Sequence, residues 1–123
     1  MSSYVCFGVE DNENNSVLIA CYGRSSRLYG RISDALGWSE EKKELNAERF
    51  NSINYELDDE INECRKGLEM YDDLLKTNSS TDELFDYAKT KQEVKDTIRE
   101  LQEAKQWLRF FYGLDCKKVI WFD

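Results

Sequence analysis

Carboxylates are concentrated in one short run of this chain, with a spacing suited to electrostatic recognition. Five of them fall within eight residues: Glu56, Asp58, Asp59, Glu60 and Glu63. On a helix, four of the five recur at steps of three and four residues and share one face, where like charges cost a few tenths of a kcal/mol per pair. We therefore predict that this run binds a basic surface of a larger protein, as the phosphates of a nucleic acid would. A merely solvated acidic face is the alternative.

The second candidate is a basic segment, Arg24-Ser25-Ser26-Arg27, followed one turn later by Arg31. A short helix is predicted to begin at Ser25 or Ser26, so backbone N–H groups, hydroxyls and guanidinium groups could hold one anion. The alternative function is thus a binder or sponge of a phosphorylated or nucleotide ligand, although the glycine patterns of phosphate loops are missing. A serine-capped helix whose arginines pair with the acidic helix is the purely structural interpretation.

Aromatic residues form the third candidate because they crowd the C-terminal segment. A core is the first interpretation, with an exposed subset serving as interface anchors. Stacking of nucleic-acid bases would need adjacent positive charge, which only a few residues could provide. The aromatic set is Trp107, Phe110, Phe111, Tyr112, Trp121 and Phe122, with Tyr4, Phe7, Tyr22, Tyr29 and Trp38 expected nearby. The basic set is Arg24, Arg27, Arg31, Arg109, Lys117 and Lys118.

Catalysis finds little support in the residue types. The chain has no histidine, which removes the commonest general base and the Ser–His and Cys–His nucleophile pairs. Its four cysteines are scattered without a CxxC pair, and Cys6, Cys21 and Cys64 sit among apolar residues, so free buried thiols in a reducing compartment are expected. A Cys6–Cys21 bridge between neighbouring strands would need an oxidising compartment. We expect no enzyme activity, no metal and no cofactor.

The distribution of charge limits the classes of partner that this protein is expected to bind. The net charge is −8, and residues 39–77 contribute most of it, with twelve acidic and six basic residues. An acidic chain does not bind nucleic acid directly through the phosphate backbone, whereas it can bind a basic protein surface. No signal peptide or membrane-spanning run is visible, so a cytoplasmic protein without membrane association is expected.

Two long helices are predicted to position these residues. The first is expected to begin at Ser39 as N-cap, and apolar residues then recur with helical period from Phe50 to Leu75. Residues 77–80 form a polar turn, and Ser80 with Glu83 has capping-box spacing for the second helix. So short a turn favours an antiparallel αα-hairpin whose apolar stripe is the seam between the helices. A homodimer through the same stripe, as a helical oligomeric scaffold, is the competing interpretation.

Strands are predicted at both ends of the chain. Residues 3–10 and 16–22 flank a polar turn and indicate a β-hairpin, and residues 118–122 form a third strand that joins it. The second strand is continuously apolar, which predicts cover on both faces or packing under the helices. We therefore predict one α+β domain over 1–123 in β-β-α-α-α-β order, with a small three-stranded sheet. Its segments are 1–38, 39–112 and 117–123.

The whole-chain profile resembles small accessory proteins of phages and other mobile elements, including anti-CRISPR inhibitors of bacterial defence systems. The likeness lies in short length, acidity, absence of motifs and the carboxylate row from Glu56 to Glu63. It implies a viral inhibitor acting in the host cytoplasm as a nucleic-acid mimic. Its partner would be a larger basic protein, such as a nucleic-acid-binding defence or host protein.

Overall fold

The computed structural model describes residues 3–77 and 80–123, and within them it confirms an α+β fold with a long helix pair. The strands and helices in chain order are β1 (Tyr4–Glu10), β2 (Ser16–Gly23), α1 (Arg27–Leu36), β3 (Lys43–Glu44), α2 (Ala47–Leu75), α3 (Thr81–Tyr112) and β4 (Lys117–Phe122). All strand pairs are antiparallel, and the sheet order is β2-β1-β4-β3. The C-terminal strand therefore completes the sheet that the N-terminal hairpin begins, as predicted. The described chain has four strands rather than three, because β3 adds two residues at one edge.

The predicted start of the first long helix at Ser39 is wrong. The Ser39 hydroxyl accepts the N–H of Glu41 at 3.1 Å, but the Ser39 carbonyl accepts the N–H of Phe122 at 3.0 Å. The chain then continues into β3 beside β4, so sheet pairing takes the place of helix. The N-cap of α2 is Asn46, whose side chain accepts the N–H of Arg49 at 2.9 Å.

The predicted starts of the other two helices are confirmed. Ser26 caps α1 by accepting the N–H of Leu28, and Gly37 ends it with φ of 75°. At that φ a side chain would be strained, so glycine suits the position. Ser80 caps α3 by accepting the N–H of Glu83. The predicted turn between the long helices falls partly on residues 78–79, which lie outside the described residues.

The core lies between one face of the sheet and the three helices. Each helix contributes fully buried apolar residues at helical spacing, which is why the apolar period of the sequence predicted them. The fully buried set includes Val5, Phe7, Leu28, Ile32, Ile53, Leu57, Leu101, Leu108 and Phe111. The apolar stripe of the long helices is therefore the seam of the hairpin, joined on one side by α1.

Burial ends about halfway along the helical hairpin. The buried positions of α2 are Ile53, Leu57 and Ile61, and those of α3 begin at Leu101. Beyond them, residues 62–75 and 81–100 contain half-buried and exposed residues only. At 1.5 Å per residue, this distal arm extends about 20 Å past the core. Lys91 forms an ion pair with Asp72 across the arm, and Lys105 forms one with Asp58 nearer the core. Both lysines therefore lie at the edge of the seam between the two helices.

Strand β2 does not have the cover that its continuous apolar sequence predicted. It lies at an edge of the sheet among the described strands, and Val17, Leu18 and Ile19 are 62%, 53% and 43% exposed. A β-bulge places Ile19 as an extra residue, since Phe7 pairs with Ala20 and Gly8 with Leu18. The prediction was wrong because the helices pack chiefly over β1 and β4.

The outer face of the sheet is closed in its middle by Trp121. Its ring lies over Gly8, where an added Cβ would come within 2.9 Å of it. Lys42 Nζ sits 5.0 Å from the centre of the same ring and donates to the Ser16 hydroxyl at 2.8 Å. No helix among the described residues is long and apolar enough to cross a membrane.

Candidate functional site

The predicted acidic row is divided between neighbouring helices and solvent. Asp58 turns towards α3 and pairs with Lys105. Glu60 turns towards α1, where its two oxygens lie 3.3 Å from Arg27 and 3.2 Å from Arg31. The Glu60 side chain is only 17% exposed. Asp58 and Glu60 thus link the helices, but only Glu60 is shielded from a partner, because half of the Asp58 side chain remains exposed. Asp59 and Glu63 are exposed, and Glu56 is half-buried.

The predicted anion site at the start of α1 already holds carboxylates of this chain. The backbone N–H of Arg27 donates to Glu100 Oε1 at 3.1 Å, and the Arg27 guanidinium contacts both Glu60 and Glu100. Arg31 pairs with Glu60 and, at 2.8 Å, with Asp34. Ser26 is the helix cap, and Ser25 is exposed beside it. Helix α1 is therefore bound to α2 and α3 through the groups that could have held a phosphate.

Arg24 stands apart from these ion pairs. Its side chain is exposed and lines a shallow pocket with Tyr29, Ser33 and Trp38. The structure thus separates Arg24 from Arg27 and Arg31, so the basic segment does not form one cluster.

Three carboxylates line a groove between α1 and the first half of α2. Its lining residues are Asp34, Ala35, Glu48, Asn51, Ser52, Tyr55 and Glu56, and its volume is about 470 Å³. Three of these seven residues are acidic and none is basic. Asp59 continues the same side of α2 one turn beyond Tyr55. We call the groove and Asp59 together the acidic groove.

Tyr55 is the aromatic residue at the centre of the acidic groove. It is 68% exposed, more than any other large apolar or aromatic side chain in the described chain. Its ring has carboxylates on either side along the helix, Glu48 two turns before it and Asp59 one turn after it. An exposed aromatic surrounded by like charge offers apolar contact area together with selectivity for cations.

Most carboxylates of the acidic groove have no partner within this chain. Asp34 is offset by Arg31 at 2.8 Å. For Glu48, Glu56 and Asp59, the described residues provide no ion pair within 4.0 Å, so their charges face solvent. Glu63, the last member of the predicted row, pairs with Lys66 at 3.3 Å on an exposed part of α2.

Most of the aromatic candidates belong to the core, as the first interpretation predicted. Phe7, Tyr22, Trp107 and Phe111 form one network of edge and stacked contacts with ring centres 5.2–6.3 Å apart. Phe50 stacks on Tyr112 at 4.2 Å, and Tyr29 meets Phe122 edge-on. Tyr4, Trp38 and Phe110 remain about half exposed, at 49%, 47% and 59%. Tyr4 lies on β1, Trp38 in the segment between α1 and β3, and Phe110 on α3, and none of them lines the acidic groove.

The cysteines are free thiols in the described structure, but the predicted burial is wrong for Cys21 and Cys116, which are exposed, while Cys6 is buried and Cys64 half-buried. Cys6 and Cys21 face each other across β1 and β2, as the sequence suggested, without a bond between them. Burial, with smaller contributions from Asp123 and Cys21, raises the pKa of Cys6, and burial also raises the pKa of Cys64. Raised pKa values keep both thiols protonated and poorly nucleophilic near neutral pH. Among the described residues, no group of three acidic or cysteine side chains is placed to hold a metal ion.

No protein-family model, curated protein or solved structure matched this chain.

Sequence reasoning missed the residues that centre the acidic groove. Asp34, Glu48 and Tyr55 lie outside the carboxylate run from Glu56 to Glu63. The density of acidic residues along the sequence identified that run, but density does not show which carboxylates are left unpaired in the folded protein. A helical projection shows that Glu48, Tyr55 and Asp59 share one side of α2, opposite the apolar stripe at Ile53, Leu57 and Ile61. The contribution of α1 to the groove depends on packing that no local pattern reveals.

Proposed function

We propose that this protein is a non-catalytic binding protein whose acidic groove occupies a basic surface of a larger protein. The observation that carries the proposal is the groove itself, where the carboxylates Glu48, Glu56 and Asp59, unpaired among the described residues, surround the exposed Tyr55. The site thus takes Glu56 and Asp59 from the predicted acidic row and extends towards the start of α2.

Physical chemistry favours a basic partner for such a surface. Like charges at neighbouring helical positions repel each other by a few tenths of a kcal/mol per pair, and lysine or arginine from a partner would reverse that term. The charges also lie on one rigid helix braced by α1, so they need no ordering when a partner binds. Tyr55 would supply the apolar anchor that rim charges lack.

The proposed mechanism is competition for a basic surface. A row of carboxylates presents negative charge along a line, as nucleic-acid phosphates do, and would compete for the same lysine and arginine side chains. Binding of this kind is steered by charge and weakens with salt, because the Debye length falls to about 8 Å at physiological ionic strength. The resemblance to mobile-element inhibitors adds to this proposal a nucleic-acid-binding defence or host protein as partner, met in the host cytoplasm.

The two other hypotheses have less support. A phosphate ligand at the start of α1 would have to displace Glu60 and Glu100 from Arg27 and Arg31. A scaffold assembled through the apolar stripe would have to separate α2 from α3, whose mutual packing buries Leu57, Ile61, Leu101 and Leu108.

Affinity capture with matched charge variants tests the proposal. The immobilised protein and the variant E48K/E56K/D59K are compared on a bacterial lysate, with bound proteins identified by mass spectrometry. The control variant, E69K/D73K/D86K, makes the same change in net charge at exposed acids of the distal arm. We expect one basic protein to be retained by the wild type and the control and lost by the groove variant.

Two results would contradict the proposal. Equal loss in both variants would mean that net charge, and not the acidic groove, governs binding. Retention by the groove variant would move the interaction to another surface. Release of a phosphorylated small molecule from the purified protein on denaturation, abolished in R24A/R27A, would support the ligand-binding alternative.

A further inference from the structure

Strand β2 is an interaction surface that the acidic groove does not explain. It is an eight-residue edge strand, Ser16–Gly23, whose outer edge has no neighbouring strand among residues 3–77 and 80–123. Such an edge carries unpaired N–H and C=O groups and is a template for another strand. Monomeric proteins usually protect an edge strand with a charged residue, a proline, a short length or a β-bulge. Strand β2 has eight residues and contains neither a charged residue nor a proline. Its bulge at Ile19 is the one such device that it carries.

The absence of charge on β2 is informative in this chain. Charged residues make up 34% of the sequence, yet the eight residues of β2 include none. In a two-fold interface each strand meets its own copy, so any charged residue near the axis would face a like charge. Each molecule has a net charge of −8, so most of its surface repels a second copy. Two β2 strands can approach each other without bringing like charges together.

The bulge at Ile19 makes β2 self-complementary. Leu18 pairs with Gly8 and Cys21 with Cys6, so Leu18 and Cys21 share the outer face of the sheet. Val17 and Tyr22 pair with Val9 and Val5 and share the inner face. Full-length antiparallel pairing of two β2 strands sets position 18 opposite 21 and position 17 opposite 22. Because of the extra residue, each of these pairs brings together side chains of the same face, as a continuous sheet requires.

The ends of β2 carry opposite charge. The hairpin loop before β2 holds Asp11 and Glu13, and Arg24 directly follows the strand. Glu13 and Arg24 are both exposed, and neither has an ion pair in the described part of the chain. In an antiparallel pair of β2 strands, the hairpin loop of one copy, with Glu13, lies next to Arg24 at the end of β2 in the second copy. The two-fold axis repeats this juxtaposition, so two complementary contacts flank the uncharged strand.

We propose that two copies of this chain associate through β2, antiparallel about a two-fold axis, to form one continuous eight-stranded sheet. The pairing would satisfy the unpaired N–H and C=O groups of the β2 edge and bring the exposed side chains of Val17, Leu18 and Ile19 into cross-strand contact with the second copy. Each copy offers one long free edge, because the strand at the other edge, β3, has two residues. Association therefore closes at the dimer and does not continue into a fibre.

Analytical ultracentrifugation across micromolar to millimolar concentrations tests the proposal. We expect a monomer–dimer equilibrium for the wild type and a dissociation constant raised about tenfold or more by I19K, which sets lysines near each other at the axis. The matched control is F85K, because Phe85 is an apolar residue of α3 with 67% exposure. It should leave the equilibrium unchanged. Circular dichroism checks that both variants keep their helical signal.

A charge-exchange cycle tests the antiparallel arrangement without altering the strand. R24E and E13R should each weaken the dimer, and R24E/E13R should restore it to within about twofold of the wild type. A wild type that stays monomeric throughout, a dimer insensitive to I19K, or a double variant as weak as the single ones would overturn the proposal. Because β2 and the acidic groove are different surfaces, failure here leaves the capture experiment unaffected.

Discussion

Glu60 shows how one residue can have the right chemistry for recognition and a different role in the fold. The sequence places it in the middle of the acidic row, yet its carboxylate lies between Arg27 and Arg31 and is largely shielded from solvent. Both arginines are also contacted by a second carboxylate, Glu100 or Asp34. The group of ion pairs links all three helices. Neutralising Glu60 would leave two half-buried guanidinium groups with fewer partners.

We predict that E60Q destabilises the protein by about 1–2 kcal/mol, the range for a charged hydrogen-bonding group in a partly shielded site. Urea unfolding followed by circular dichroism measures the change. The control is E63Q, because Glu63 forms an exposed pair with Lys66 on the same helix. That pair should contribute less than about 0.5 kcal/mol. Equal effects of the two variants would mean that Glu60 does not link the helices.

Asp72 makes the distal arm sensitive to acid. A hydrogen bond from Lys91, assisted by that ammonium and those of Lys76 and Lys95, lowers the pKa of Asp72 below its usual value of 3.8. A lowered carboxyl pKa means that the folded arm favours the ionised form. The stabilisation is therefore fully present above pH 3.8 and is lost as the pH falls through the lowered pKa.

We predict that the wild-type arm loses helical signal at acid pH and that D72N removes this part of the pH dependence. At neutral pH the variant should already have a less stable arm, seen as faster amide exchange in residues 68–75 and 88–95. D73N is the matched control, because exposed Asp73 has no ion pair within the described residues. An unchanged acid transition in D72N would contradict the role of the Asp72–Lys91 pair.

At the scale of elements, the sequence predicted the helices and strands better than their boundaries. Helical periodicity and the caps at Ser26 and Ser80 identified α1 and the start of α3. The start of α2 was missed because Ser39 with Glu40 and Glu41 imitates a cap, whereas Asn46 with Glu48 is the cap used. Local signals were similar at both places. Pairing of residues 43–44 with β4, which is distant in sequence, decided between them.

Glycines in different elements give opposite predictions. Gly67 lies in the exposed part of α2, and an added Cβ would meet nothing within 4 Å. G67A should therefore raise helix stability by about 1 kcal/mol, since glycine is a poor helix former. Gly8 lies under Trp121, so G8A should lower the free energy of unfolding by about 1–3 kcal/mol. Thermal and urea unfolding measure both changes, and a destabilising G67A would show that the arm is packed against something at that point.

At the scale of the whole molecule, the carboxylates fall into two groups with different roles. Carboxylates such as Asp58, Glu60, Asp72 and Glu100 are paired and stabilise contacts between helices. In the acidic groove, by contrast, Glu48, Glu56 and Asp59 lie around Tyr55 and have no ion pair among the described residues. The sequence supplied the acid-rich helix and the idea of a basic partner. It could not separate paired from free carboxylates, because that separation depends on where α1 and α3 pack against α2.

The most direct test of the acidic groove is amide chemical-shift mapping during titration with a peptide rich in lysine and arginine. We predict shifts concentrated at Asp34, Glu48, Tyr55 and their neighbours, reduced by added salt and absent in E48K/E56K/D59K. Shifts that are as large at Glu69, Asp73 and Asp86 on the distal arm would show that the peptide senses only the net charge. That result would contradict a groove built for a basic partner.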